Sequence, residues 1–391
     1  MFNHCAVLVL ACFAASANVL AHPAEMPPEP AGSSYLVYVS TYTVRESKGI
    51  YVYRFHGGRL TPLGTGGLAA ETVNPSFVAV DPGSRYLYAV NETETFKGQR
   101  TGAVSAFAIN RANGKLTFLN QMPSGGTDPC FVSVDHTGKW VLVANYTSGS
   151  ISVFPVLSGG RLGPASAFVQ HHGHSVNPQR QEGPHAHQIL LSPDNRFALV
   201  SDLGLDRLLV YRFDPTHGTL APAAQPFAEV SGGSGPRHFA FDPAGRFVYL
   251  LSEVRSTITT FAYDPVSGGL HELGTVSSLP AGFSGPSDAA EIVMGRSGRF
   301  LYASNRGADT LAVFAIDPKT HLLVPVANVP SLGKTPRGFG IDPSGRFLLA
   351  ANQDTDNLFV LSINPRTGEL KPTGQAVEVP SPVSVAFVPA R

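Results

Sequence analysis

Asp242-Pro-Ala-Gly-Arg-Phe-Val-Tyr249 decides the architecture, because the same phrase recurs along the chain. Asp81-Pro-Gly-Ser-Arg-Tyr-Leu-Tyr88 and Asp342-Pro-Ser-Gly-Arg-Phe-Leu-Leu349 are close copies. Looser ones start at Asp135 (DHTGKWVL), Ser192 (SPDNRFAL) and Gly295 (GRSGRFLY). Each is preceded by a short apolar run and followed by aromatic and β-branched residues. The chemistry is that of a tight hairpin. Proline presets φ at one turn position, glycine takes the left-handed one, and aspartate can bond its own backbone.

A second hairpin phrase follows most copies: Asn110-Arg-Ala-Asn-Gly-Lys-Leu116, Asp214-Pro-Thr-His-Gly-Thr-Leu220, Asp264-Pro-Val-Ser-Gly-Gly-Leu270, Asp317-Pro-Lys-Thr-His-Leu-Leu323 and Asn364-Pro-Arg-Thr-Gly-Glu-Leu370. Each repeat thus reads as four strands, A to D, with a period of about 50 residues, the size of a propeller blade. Six copies are complete. The seventh is divided between the termini. Ser381-Pro-Val-Ser-Val-Ala-Phe-Val388 reads as a strand A with nothing after it, and Tyr35-Leu-Val-Tyr-Val-Ser-Thr-Tyr42 as a strand B with nothing before it. Pairing them closes a ring without open sheet edges. The expected fold is all-β: a seven-bladed propeller of four-stranded antiparallel blades over residues 35–391.

The composition agrees. Forty glycines and 32 prolines in 391 residues punctuate many short strands. Lys+Arg and Asp+Glu balance at 28 each, so no basic excess exists to hold a nucleic-acid backbone. Residues 1–21 read as an export signal: the apolar run Cys5–Ala15 is too short to span a membrane, and small residues follow it. Residues 22–34 read as a linker rich in proline and small residues. The protein is expected in the periplasm or outside the cell, as a monomer. Cys5 and Cys12 lie in the signal, leaving Cys130 as the sole cysteine of the remaining chain, with neither a disulfide nor a thiolate metal cluster open to it.

In a propeller, the start of strand A and the end of strand B open on one face. The top of strand A carries Ser76, Cys130, His187, Arg237, Ala290 and Arg337; the next column carries Phe77, Phe131, Gln188, His238, Glu291 and Gly338. The end of strand B carries Glu92, Tyr146, Leu203, Glu253, Arg306 and Gln353, preceded by Asn91, Asn145, Asp202, Ser252, Asn305 and Asn352. Turn and core positions repeat from blade to blade, whereas these columns vary, as an asymmetric ligand in the funnel would require. Three arginines facing carboxylates form a cradle for a small anion. Asparagines near strand ends, Asn145 and Asn352 among them, can equally well satisfy backbone.

The segment from His171 to His187 is unlike the other connections. It holds five histidines, lacks H-E-x-x-H spacing and has no helix to fix ligands, so it reads as a loop over the funnel mouth rather than a metal site. It would deliver Arg180, Glu182, His185 and His187. No G-x-S-x-G elbow, P-loop or dinucleotide fingerprint is present.

Taken together, Asn177-Pro-Gln-Arg-Gln-Glu-Gly-Pro-His-Ala-His187, Asp202-Leu-Gly-Leu-Asp206, Gly235-Pro-Arg-His238, Ser304-Asn-Arg306, Pro336-Arg-Gly-Phe-Gly340 and Ala351-Asn-Gln-Asp354 resemble the propeller lactonases. That family includes 6-phosphogluconolactonase and a carboxymuconate lactonizing enzyme. The resemblance implies cofactor-free lactone chemistry in the funnel, with a small anionic lactone or sugar acid as the expected substrate. It places the catalytic set at His187 (or His185), Arg237, Glu253 and Arg306; the columns and the loop add His185, Arg180, Glu182, His238, Glu291, Arg337, Asn352, Gln353, Asn145 and Glu92 as candidate substrate-binding residues. An export signal suits a substrate other than the cytosolic 6-phosphogluconolactone. The expected scheme has Glu253 as general base on water, or else orienting water while His187 moves the proton. Arg237 and Arg306 hold the anion and the oxyanion, and His187 protonates the leaving alkoxide. The rival readings are a cycloisomerase acting on a dicarboxylate and a non-enzymatic binding propeller of the cell envelope.

Overall fold

Asp242 Oδ1 accepts the backbone N–H groups of Arg246 and Phe247 at 2.6 and 2.7 Å, closing the turn that the repeated phrase encodes. Asp81, Asp135 and Asp342 do the same in their blades. The left-handed position is filled by Gly138, Gly245, Gly298 and Gly345, but by Ser84 (φ 55°) in the first copy and Asn195 (φ 63°) in the Ser192 copy. The glycine in Asp81-Pro-Gly-Ser therefore sits one position before the left-handed site.

The protein is described here from a computed structural model covering Met1 and residues 33–391. The segment expected to be an export signal, Met1 apart, and nearly all of the expected linker lie outside the described residues, and the first strand already begins at Ser34. Seven antiparallel sheets form the blades. Their innermost strands are Val78–Val80, Pro129–Val134, Ala186–Leu191, Pro236–Phe241, Asp288–Met294, Pro336–Ile341 and Pro382–Pro389. Each of these strands contacts the innermost strands on both sides, so the ring is closed. The closing blade is the divided one: Pro382–Pro389 pairs with Ser34–Thr41, Tyr35 opposite Pro389 and Val39 opposite Val385.

The core is distributed rather than central. Seven apolar clusters lie between neighbouring blades, one per interface. The aromatic that opens strand B explains part of this packing. A Cβ on Gly218 would stand 2.1 Å from Trp140, one on Gly268 2.7 Å from Phe197 and one on Gly368 2.4 Å from Phe300. Each hairpin glycine thus lies flat on an aromatic ring of the adjacent blade. In one blade His321 replaces glycine at φ 59° and stacks on Phe247 instead, with ring centroids 3.9 Å apart. Buried tyrosine hydroxyls add polar ties across the same seams, Tyr88 to Gly160 O and Tyr302 to Gly368 O.

Candidate functional site

The top of each inner strand departs from regular pairing. Pro129 and Phe131 pair with successive residues of the next strand, so Cys130 is extra. The same shift leaves His187 between paired Ala186 and Gln188, Arg237 between Pro236 and His238, Arg337 between Pro336 and Gly338, and Val383 beside paired Pro382. A β-bulge of this kind adds one unpaired residue and re-aims its side chain. Proline precedes four of these five residues, and its missing N–H breaks the ladder there. The bulges turn the top-of-strand-A column into the funnel. Ser76, Phe77, Glu92, Cys130, His187, Arg237, His238, Glu291, Arg337 and Val383 line one chamber at the funnel.

Glu253 is the electrostatic centre of one wall. Arg180 Nη2 donates to its Oε1 at 2.5 Å, while Arg237 Nε and Arg306 Nη2 lie 2.9 and 3.0 Å from Oε2. Burial alone would raise this carboxyl's pKa; the guanidiniums of Arg306, Arg237 and Arg180 overcome it and bring it down to about 2. Arg237 is itself pulled down to about 10, by burial first and then by Arg306. It also donates to Ala290 O.

Arg180 arrives on the loop that joins the outer strand Ala167–Gln170 of one blade to the inner strand Ala186–Leu191 of the next. The loop is anchored at three points: His171 Nδ1 against Asp202 Oδ2 at 2.6 Å, Ser175 Oγ donating to Asp206 at 2.6 Å, and Gln181 Nε2 donating to Leu203 O at 2.8 Å. The two histidines of Pro-His-Ala-His diverge, as alternating residues next to a bulge can. His187 is buried, with Nε2 4.0 Å from Glu253 Oε2. Burial, Arg237, His238 and Arg337 hold its pKa well below 6.5, so it is neutral at pH 7. His185 stacks on Tyr146 at 4.6 Å and meets the exposed Glu182 at 3.3 Å.

The other wall is made by Glu92. Tyr42 O–H donates to both of its carboxylate oxygens at 2.9 Å and accepts from Arg337 Nη2 at 2.7 Å. Burial raises the Glu92 pKa, partly offset by Arg337. Tyr42 was not singled out from the sequence, because the divided blade has no Asp-Pro turn from which to count. Aligning Tyr38 with Tyr88, which make equivalent seam hydrogen bonds, puts Tyr42 in the Glu92 column. Val383 is likewise the seventh member of the Arg237 column.

Glu92, His187, Arg237, His238, Glu291 and Arg337 therefore meet in the chamber, with Glu253, Arg306 and Arg180 beside it. Five expected residues are placed elsewhere. His185, stacked on Tyr146, and the exposed Glu182 beside it stay on the loop outside the chamber lining, and Asn145, Asn352 and Gln353 also lie outside it. Asn145 Nδ2 donates to Ser124 O and Asn352 Nδ2 to Ser331 O, tying the connection from the preceding blade. Asn91 and Asn305 do the same with Val73 O and Ser278 O, so this column serves the backbone. Gln353 opens a short 3-10 turn, Gln353–Thr355, and does not line the chamber. Among the described residues no three His, Cys, Asp or Glu are grouped to hold a metal ion, and no helix is long and apolar enough to cross a membrane.

The model of the family described as "Lactonase, 7-bladed beta-propeller" matches residues 36–387. The 6-phosphogluconolactonase of Bacillus subtilis (strain 168) is 36% identical over 312 residues, 80% of this chain and 86% of that protein. A 6-phosphogluconolactonase of Formosa agariphila is 31% identical, over 79% and 86% of the two chains. The solved structure of the Pseudomonas aeruginosa periplasmic gluconolactonase superposes with a TM-score of 0.85 at 36% identity, covering 92% of this chain and 100% of that one. With the family model matched over residues 36–387 and relatives above 30% identity over most of its length, this chain belongs to the lactonase family of seven-bladed β-propellers.

Proposed function

We propose that this protein is a lactonase that opens a sugar-acid lactone by hydrolysis in the central funnel, outside the cytoplasm. The observation that carries the reading is the Glu253 wall, a buried carboxylate held among three guanidiniums beside a neutral imidazole. Its relatives' names, 6-phosphogluconolactonase and periplasmic gluconolactonase, support the same chemistry. Arg180, Arg237, Arg306 and Arg337 face Glu92, Glu253 and Glu291, with Asp288 3.6 Å from Arg180, so guanidiniums stand ready to meet the carboxylate that ring opening creates.

Arg237 and Arg306 hold the lactone carbonyl and then the oxyanion, in a site where few waters compete. Glu253 is not the base: a carboxylate with a pKa of about 2 has little affinity for a proton at neutral pH. It keeps the guanidiniums in place and accepts a hydrogen bond from the attacking water. The proton passes to a neutral imidazole of the wall.

Titrating acid release by pH-stat against 6-phosphogluconolactone, unphosphorylated sugar lactones and a muconolactone tests this. Turnover that disappears in Arg237→Ala supports a funnel lactonase. Turnover of a dicarboxylate without water incorporation would replace it with a cycloisomerase, and a folded protein inert to the whole panel would leave the binding propeller.

A further inference from the structure

His238 stands at the chamber wall in an arrangement that the repeat does not require. Its ring is 2% exposed, and Nδ1 lies 2.9 Å from Glu291 Oε1. That oxygen also accepts the Ile292 backbone N–H at 3.0 Å, so it acts as an acceptor and Nδ1 carries the hydrogen. The tautomer is thereby set, and Nε2 is left with the free lone pair. Nε2 has no hydrogen-bond partner, and a buried polar atom without one calls for an explanation. Glu291 is held in turn by its own backbone N–H, donated to Ser304 Oγ at 3.0 Å.

His187 lacks this support. Its nearest carboxylate oxygen is 4.0 Å away, and its Nδ1 neighbour is the Cys130 sulfur at 3.8 Å. Nothing hydrogen-bonded to His187 would stabilise an imidazolium formed between Arg237 and Arg337. At His238 the Glu291 carboxylate would do so, as a carboxylate does in other carboxylate–histidine bases.

Resting on the lactonase reading, we propose that His238 is the general base of the reaction and Glu291 its positioning residue. Water gives a proton to His238 Nε2 as its oxygen bonds to the lactone carbonyl carbon. The oxyanion collapses, the ring C–O bond breaks, and the departing alkoxide takes the proton back from Nε2. The hydroxy acid ionises, releasing one proton to solvent, and the dyad is restored. The groups facing the His238 ring are Glu291, His187, Arg237 and Arg337, with Phe77 and Phe131 against its edges.

The test is the pH dependence of kcat/KM on a lactone the wild type turns over, with His238→Gln, Glu291→Gln and His187→Gln compared. His238→Gln should lose about 100-fold or more in kcat with KM little changed. In wild type the acid limb should lie below 6.5, since burial lowers the His238 pKa and Glu291 only partly restores it. Glu291→Gln removes that restoring charge, so its limb should move to lower pH while kcat falls. His187→Gln should leave the limb where it is. Independently of turnover, 15N NMR of the His238 ring should show the Nδ1–H tautomer at pH 7. An active wild type whose limb ignores Glu291→Gln, a His238→Gln variant within threefold of wild-type kcat, or an Nε2–H tautomer would each overturn the dyad. A wild type inert to every lactone would instead sink the lactonase reading and the base assignment with it.

Discussion

Replacing Glu253 with glutamine keeps the shape of the side chain and removes its charge, which isolates what the guanidinium cluster gains from a carboxylate. The magnitude follows from linkage. The folded-state pKa lies at about 2 against an ordinary value of 4.5. That gap corresponds to about 3 kcal/mol of stability at pH 7 that a neutral isostere cannot supply. The sign is that of a depressed acid: the contribution is complete above 4.5 and fades as pH falls toward 2. By pH 3 roughly half, about 1.5 kcal/mol, should remain. Breaking a buried ion pair on one side typically costs a similar 3–5 kcal/mol, because the partner charges stay behind. Urea unfolding of wild type and Glu253→Gln at pH 7 and pH 3 measures both numbers. Gluconate should also stabilise the variant more than the wild type, by offering the freed arginines a carboxylate. A difference below about 1 kcal/mol at pH 7, unchanged at pH 3, would refute the claim that Arg180, Arg237 and Arg306 are organised by this one group.

Other outcomes follow from the same packing and charges. Gly218→Ala should destabilise by about 2–4 kcal/mol, since the new Cβ would meet Trp140 at 2.1 Å from a residue at φ 65°; because Trp140 is the sole tryptophan, its fluorescence should report both the displaced ring and the earlier unfolding. Arg180 is about one-third exposed, so Arg180→Ala should cost about 1 kcal/mol or less in urea unfolding, yet raise KM for the lactone because the funnel loop loses its tie to Glu253. Burial holds His187 and His238 below 6.5 in the folded state, so between that value and the folded pKa the unfolded chain binds more protons. Stability should therefore decline as pH drops below 6.5, and the His187→Gln/His238→Gln double variant should show a flatter decline in thermal unfolding from pH 7.5 to 5.

Much of this molecule was legible before any tertiary structure. The Asp-Pro turns, the second hairpin glycines and the alternating strands are local, because each depends on residues within a few positions of one another. Counting them yields the seven blades, and the unmatched strands at Tyr35 and Ser381 reveal the closure. The funnel columns also followed from counting, since position within a repeat translates directly into position in the ring. The prolines before Cys130, Arg237, Arg337 and Val383 even carry a readable signal for the bulges that aim those side chains.

What counting could not decide is which column members meet. Arg180 reaches Glu253 across 73 positions of sequence through the packing of successive blades, and Arg337 reaches Tyr42 across 295 through closure of the ring. The same holds for chemical state. Glu253 and Glu92 occupy equivalent positions in their blades, yet three guanidiniums lower one pKa while burial raises the other. The asparagine column looked equally suited to ligand or backbone, and only the placement of carbonyls such as Ser124 O and Ser331 O assigned it to backbone. The repeat by itself determined the blade and the ring. The tertiary structure decided which residues, brought together around the funnel, set one another's charge.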